Sequence, residues 1–176
     1  MVRRMKPVRR GVAAVEVALA TAVFLVPMVI GIWEIGRLIQ VQQIVSNSAR
    51  EGARLAAQGY TLSNSGAQTE VMVSSGQYNV YDFVYSYLYG AGLTTLQKSD
   101  VTMTFQFLAP TSGGTLPTEP YQGEKGEPFS VTVTIPWAKV RWINLGLVNP
   151  TTVTFTVRWQ MLIDDKFTVD DTLPTW

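Results

Sequence analysis

The chain contains no histidine and no cysteine among its 176 residues. Histidine is the most common general base and metal ligand, so its absence excludes a histidine-dependent catalytic triad. The absence of cysteine removes disulfides from the fold, and it is compatible with either side of a membrane. The spacing of the acidic residues in the loops does not match that of a calcium-binding loop, and the glycine-rich loop does not have the pattern of a phosphate-binding loop. We therefore expect no catalytic residue, no metal site and no cofactor.

Acidic residues are missing from the first eleven positions, where five of the fourteen basic residues lie. The remainder of the chain carries nine basic and thirteen acidic residues, a net charge of −4. Because no basic stripe is left after this leader, nucleic acid is not an expected partner.

Charge is almost absent from the next segment, Val12–Trp33, whose one ionisable residue is Glu16. As a helix this segment would be about 33 Å long, enough to cross a bilayer core. A removable secretory signal has a shorter apolar stretch, of about 7–15 residues, so the length favours a membrane anchor. The basic leader predicts a cytoplasmic N-terminus and an extracytoplasmic C-terminal part.

A charged residue such as Glu16 makes membrane insertion of such a segment less favourable, by roughly 2.5–3.5 kcal/mol at mid-membrane and by less near the interface. Cleavage between Gly11 and Val12 would leave an α-amine on Val12, one helical turn from Glu16. Pairing of the carboxylate with this amine, or with the amine of a neighbouring subunit, would offset the cost of burying either charge. The alternative is a carboxylate that reaches the cytoplasmic interface by snorkelling.

Three- and four-residue apolar spacing continues the helix to about Gly59, which is a typical stop. Pro27 is expected to bend it. Two acid–base pairs, Glu34 with Arg37 and Glu51 with Arg54, have the spacing of ion pairs across one turn.

Beyond the helix, residues 60–76 are small and polar and are interpreted as a linker. Residues 79–89 have both a helical face and alternating tyrosines, and the candidate N-cap Asn79 favours a helix. Three later segments alternate apolar residues with threonine and predict strands; they are residues 101–107, 129–135 and 153–159. The predicted fold is α+β, with a long N-terminal helix, a second helix and a three-stranded antiparallel sheet.

The predicted organisation has four parts: a basic leader (1–11), a transmembrane helix (12–33), its extracytoplasmic continuation (34–59) and a small α+β domain (60–176). Candidate helix–helix or partner contacts on the continuation are Glu34, Arg37, Arg50, Glu51, Gly52 and Arg54. The small residues Gly52 and Ala53 are expected to pack the helix on its own domain, with close approach of a partner helix as the alternative. Half of the five tyrosines between positions 78 and 89 are expected to line the helix–sheet core with their hydroxyl groups at its rim, and an adhesive or protein-binding surface is the alternative.

Several stretches resemble the TadE-like minor pilins of tight-adherence (Tad/Flp) pilus systems: Arg10–Glu16, Pro27, Gly31–Arg37 and Ala49–Arg54. Val17 departs from the family, which commonly has an aromatic residue after the glutamate. The resemblance implies a type IV pilin-like pseudopilin of the bacterial inner membrane that a prepilin peptidase cleaves between Gly11 and Val12. It also implies other Tad pilins and the inner-membrane assembly platform as partners.

The first hypothesis is therefore a non-enzymatic pilus assembly component, and residence in the filament, at its cap or in the membrane all fit it. The alternative is a one-pass membrane scaffold or sensor with an external α+β ligand-binding domain. No constellation of residues supports a membrane-tethered enzyme. Neighbouring genes for a prepilin peptidase, a secretion ATPase and small pilins would favour the first hypothesis.

Overall fold

A computed structural model describes residues 10–108, 116–143 and 149–163. Its first element is the predicted long helix, in three consecutive parts: α1 (Arg10–Ala20), a π-helical turn (Thr21–Leu25) and α2 (Val26–Gln58). Gly59 follows with a φ of +65°, a left-handed conformation that glycine adopts without strain, so the helix ends where the sequence predicts.

The π-helical turn lies immediately before Pro27. Proline has no N–H, and in a regular helix its ring would collide with the carbonyl four residues earlier, here that of Val23. The structure widens this turn, and the Val26 N–H bonds to the carbonyl of Thr21, five residues back. The local response to Pro27 is therefore a changed hydrogen-bond spacing rather than an interrupted helix.

Within the described residues, one helix is long and apolar enough to cross a membrane, by length and composition: Gly11–Gln58, with a mean hydropathy of 2.3 in its apolar window. No residue of that window is buried inside the chain. The chain divides into two compact units. The first comprises Met1–Gln40 and Arg141–Asn149, and the second comprises Val41–Val140 and Pro150–Trp176.

A short β-hairpin follows α2 in the second unit and consists of β1 (Tyr60–Leu62) and β2 (Gln68–Glu70). The sequence predicted a linker at this position. That expectation was wrong. Three-residue strands of mostly polar residues carry no hydrophobic alternation, and the turn is closed by backbone geometry instead. Gly66 has a φ of +79°, and the Ser63 N–H bonds to the Ala67 carbonyl at 2.8 Å.

The predicted α+β fold is confirmed. The remaining elements are α3 (Val80–Gly90), β3 (Thr102–Phe107), β4 (Pro128–Pro136), α4 (Trp137–Val140) and β5 (Thr152–Gln160). β4 is the central strand, and it pairs antiparallel with both β3 and β5. The four-residue helix α4 was not predicted from the sequence.

The sheet has one apolar and one threonine-rich face, as the alternation of its strands predicts. On the apolar face, Phe129, Val131 and Val133 of β4 are fully buried. On the other face, hydroxyl groups pair across strands, with 2.9 Å between those of Thr132 and Thr156. The strand register therefore separates a dry face from a wet face.

α3 begins where the sequence predicts, because the Asn79 side chain accepts a hydrogen bond from the backbone N–H of Asp82 at 2.7 Å. Its buried residues recur every four positions, at Val80, Val84 and Leu88. This confirms the helical interpretation of the segment over the strand interpretation, and it supplies one face of the core of the second unit.

Candidate functional site

The N-terminal motif lies in α1 with its side chains exposed. Gly11 is helical, and a Cβ atom built on it would meet no group of the described residues within 4 Å. Val12 is 60% exposed, and Glu16 is exposed one turn further on. Glu16 has no hydrogen-bond or ion-pair partner in the part of the chain that the structure describes. Among the described residues, nothing therefore occupies the hydrogen-bonding positions of the Glu16 carboxylate.

The predicted ion pair between Glu34 and Arg37 is not formed. Nη1 of Arg37 donates instead to the Gln40 side-chain oxygen at 2.9 Å, and the Arg37 guanidinium lies 4.5 Å from the centre of the Trp142 ring. The prediction used helical spacing alone, and an aromatic ring distant in sequence supplies a competing cation–π contact.

Glu34 is a buried acidic residue of the long helix. Its side chain is buried, and both carboxylate oxygens lack a hydrogen-bond partner within residues 10–108, 116–143 and 149–163. Burial of a carboxylate without a donor is unfavourable, typically by a few kcal/mol or more. No donor among the described residues therefore offsets the burial of the Glu34 carboxylate.

A pair of aromatic rings forms a contact between the long helix and a residue more than a hundred positions later. The rings of Trp33 and Trp142 meet edge to face, with 6.1 Å between their centroids and 88° between their planes. Trp33 and Trp142 are 55% and 62% exposed. The sequence does not predict this contact, because spacing along a chain does not report which distant residue meets the helix.

The second predicted pair, Glu51 with Arg54, is present at 2.9 Å between Nε of Arg54 and a Glu51 carboxylate oxygen. It is solvent-exposed, so its contribution to stability is small, about 0.3–0.5 kcal/mol. The guanidinium of Arg50 lies 5.8 Å from the centre of the Phe155 ring of β5. Arg50 thus contacts its own sheet, and Glu51 and Arg54 lie on the exposed side of the helix.

Gly52 of α2 faces two valines of α3. A Cβ atom at this position would lie 2.5 Å from Cγ2 of Val84 and 3.4 Å from Cγ1 of Val80. Of the two interpretations that the sequence left open for this residue, the contacts show packing within the chain. Its role toward a partner subunit stays a prediction.

The tyrosine hydroxyl groups of α3 hold the segment that leads to the sheet. The Tyr81 hydroxyl donates to the carbonyls of Lys98 and Val101, the second at 3.1 Å, and the Tyr85 hydroxyl donates to the Leu96 carbonyl at 3.3 Å. These hydrogen bonds satisfy backbone carbonyl groups in the segment between α3 and β3. They favour the structural interpretation of these two tyrosines over an adhesive surface.

Two acidic residues of the loop before β4 accept hydrogen bonds from backbone N–H groups. Glu119 accepts from the backbone N–H of Val73 at 2.7 Å, and Glu127 accepts from that of Glu124 at 3.0 Å. Among the described residues no three acidic side chains gather into a group that fits a metal ion. The acidic pairs at 164–165 and 170–171 lie outside the described residues.

The comparison with known families concerns the long helix. No curated protein and no solved structure matches the chain. A family model described as TadE-like protein matches residues 11–54. This stretch contains the glycine-to-glutamate motif, Pro27 and the Ala49–Arg54 run on which the resemblance was based. The match indicates a Tad pilus-associated protein with an N-terminal helix able to span a membrane. Over residues 11–54, this chain is similar to the TadE-like proteins, as its sequence predicted.

Proposed function

We propose that this protein is a minor pilin, or pseudopilin, that acts in the assembly of a Tad-type adhesion pilus. It is anchored in the bacterial inner membrane by one helix, with its N-terminus in the cytoplasm and its α+β domain outside. Its role is structural rather than enzymatic, and its partners are other Tad pilins and the inner-membrane assembly platform. The observation that carries the proposal is the TadE-like match over residues 11–54, which falls on the one described helix able to cross a membrane.

Processing by a prepilin peptidase between Gly11 and Val12 is part of the proposal. A Cβ atom at Gly11 would meet no described group within 4 Å, so no side chain of the described residues crowds the neighbouring peptide bond. Removal of residues 1–11 would discard all five leader charges and create an amine one turn from Glu16.

The first experiment is co-expression with the matching prepilin peptidase, followed by mass spectrometry of the membrane-extracted chain. We expect loss of eleven residues and an N-terminal Val12. Gly11→Leu should block the cut, because a bulky side chain crowds the scissile bond. Gly36→Leu is the matched control, since Gly36 is also an unobstructed glycine of the long helix and lies far from the cut. A full-length wild-type chain beside an active peptidase would contradict processing.

The Glu16 carboxylate is proposed to form an ion pair with the N-terminal amine of a neighbouring subunit. Glu16→Ala should still insert, because the segment becomes more apolar, and should still be cleaved. Co-purification with the other pilins and the number of surface pili should both fall. Glu16→Gln keeps the side-chain shape without the charge, so it separates ion pairing from hydrogen bonding. Wild-type behaviour of Glu16→Ala in both assays would leave the carboxylate only a snorkelling role.

The proposed orientation rests on the basic leader, since lysine and arginine are retained on the cytoplasmic side. A periplasm-active reporter fused after Trp176 should be active, and a cytoplasm-active reporter at the same position should be silent. Activity of the cytoplasmic reporter alone would reverse the orientation, whatever the outcome of the processing test.

A further inference from the structure

The segment Arg141–Ile143, which follows α4, exposes apolar surface beside the membrane helix. Trp142 is 62% exposed and Ile143 is 39% exposed. Arg141–Asn149 belongs to the same compact unit as the chain up to Gln40, although it lies in the C-terminal third of the sequence. Trp142 of this segment therefore contacts the helix of its own unit, and Ile143 is the next residue along the chain.

The depth of Trp142 along the helix is set by its contact with Trp33. Trp33 is the last residue of the apolar run, and its ring meets that of Trp142 edge to face at 6.1 Å. A helix that crosses a bilayer over this run places Trp33 at the boundary between hydrocarbon and headgroups. Trp142 must then lie at the same boundary, because ring contact ties one residue to the other.

The chemistry of these two aromatic side chains suits that boundary. An indole has an apolar body and one N–H donor, and tryptophan is enriched at the headgroup level of membranes. The buried Arg37 guanidinium lies 4.5 Å from the centre of the Trp142 ring, and this cation–π contact helps to hold the exposed indole against the helix.

We propose that Arg141–Ile143 binds the lipid headgroup region of the bilayer that the long helix crosses, which gives the protein a second membrane contact besides that helix. Lipid is favoured over a protein partner because an inserted helix brings the bilayer to the level of Trp33 in every subunit, assembled or not. The inference rests on insertion of the helix, and it is independent of the pilus role.

The test uses the absence of cysteine, which permits single-site spin labels on the full chain. The label is placed at Ile143→Cys, so that Trp142 is retained. Thr104→Cys, on the exposed face of β3, reports water, and Val23→Cys, in the apolar run, reports the membrane interior. The protein is reconstituted alone into vesicles of phosphatidylcholine and phosphatidylglycerol. Collision rates with oxygen, which enters lipid, and with a water-soluble nickel chelate are then compared.

We expect the ratio of oxygen to nickel-chelate collisions at position 143 to be several-fold higher than at position 104 and lower than at position 23. Adding Trp142→Ser to the Ile143→Cys chain should lower that ratio several-fold toward the water value. A ratio at position 143 equal to that at position 104 would overturn the proposal, and the label at position 23 shows separately whether the helix has inserted.

Two further outcomes also decide the question. Protection of position 143 that appears only after other pilins are added would identify the surface as a protein contact and overturn the lipid proposal. A ratio that Trp142→Ser leaves unchanged would overturn the assignment of Trp142 as the membrane-binding side chain.

Discussion

The two ends of the long helix use apolar residues in opposite ways. Toward its start the large side chains are exposed, with Phe24 at 75% and Met28 at 63%. Toward its end the side chains are smaller and fully buried, as at Val45, Ala49 and Ala53. Lipid solvates large side chains without demanding a fitted surface, whereas packing on another helix requires small residues that allow close approach. Apolar character alone therefore does not locate the core, and side-chain size distinguishes the two environments.

The largest expected effect comes from one substitution made in each environment. Phe129→Ala removes a fully buried ring that stands 5.2 Å from the Phe105 ring, centroid to centroid, and should lower the free energy of unfolding by about 3–5 kcal/mol. Phe24→Ala removes the same atoms from an exposed site and should change it by less than about 0.5 kcal/mol. Denaturant unfolding in detergent, followed by tryptophan fluorescence, measures both. Equal losses would contradict the comparison.

A second pair of substitutions tests the close approach of the helices. Gly52→Ala places a methyl group 2.5 Å from Cγ2 of Val84, a stiff β-branched side chain, and should cost about 1–3 kcal/mol. Gly36→Ala meets nothing within 4 Å and should be neutral or stabilising by up to about 1 kcal/mol, because alanine is the better helix former.

The double variant Gly52→Ala/Val84→Ala distinguishes a steric clash from a loss of helix geometry. If the clash is the cause, truncation of Val84 makes room for the new methyl group, and the two substitutions should be clearly non-additive in the free energy of unfolding. Simple addition of the two losses would rule out contact between these residues as the cause.

The start of α3 is a smaller, polar determinant of the second unit. Asn79→Ala removes the side chain that accepts from the Asp82 N–H and should lower the free energy of unfolding by about 0.5–2 kcal/mol. Asn79→Ser retains an acceptor and should recover most of that loss. Thermal unfolding measures both, and equal destabilisation by alanine and serine would exclude capping as the main role of Asn79.

The smallest expected effect is a dependence of stability on pH. The hydrogen bond from Lys98 is the main cause that holds the pKa of Asp82 below its usual value, and the bond from Asn79 adds to it. Because the pKa is lower in the folded state, the stabilisation is fully present above the unfolded pKa, about 3.9, and disappears as pH falls through the folded value. Both side chains are about half exposed, so the contribution at neutral pH should stay below about 1 kcal/mol.

Asp82→Asn measures this contribution. The difference in free energy of unfolding between wild type and variant should be largest near neutral pH and should shrink as pH falls below about 4. A difference that grows on acidification would mean that the sign of the Asp82 contribution is wrong.

Local signals predicted much of the fold because their causes are local. The ends of α3, the stop at Gly59 and the three alternating strands each follow from periodicity or from a single capping residue. The hairpin of residues 60–70 was missed because its polar strands carry no periodic pattern, and it is held by contacts such as the bond from the Val71 N–H to the Gly59 carbonyl.

In the candidate site too, some features follow from local sequence and others from tertiary contacts. The sequence by itself determined the membrane-capable run, the glycine-to-glutamate motif and the similarity to TadE-like proteins, since each is a property of contiguous residues. Only the tertiary structure decided that Gly52 packs on α3 and that Arg37 turns to Trp142 instead of Glu34. The physical reason is that a helix offers each side chain several neighbours at equal spacing, and the choice among them depends on what distant parts of the chain bring against that face.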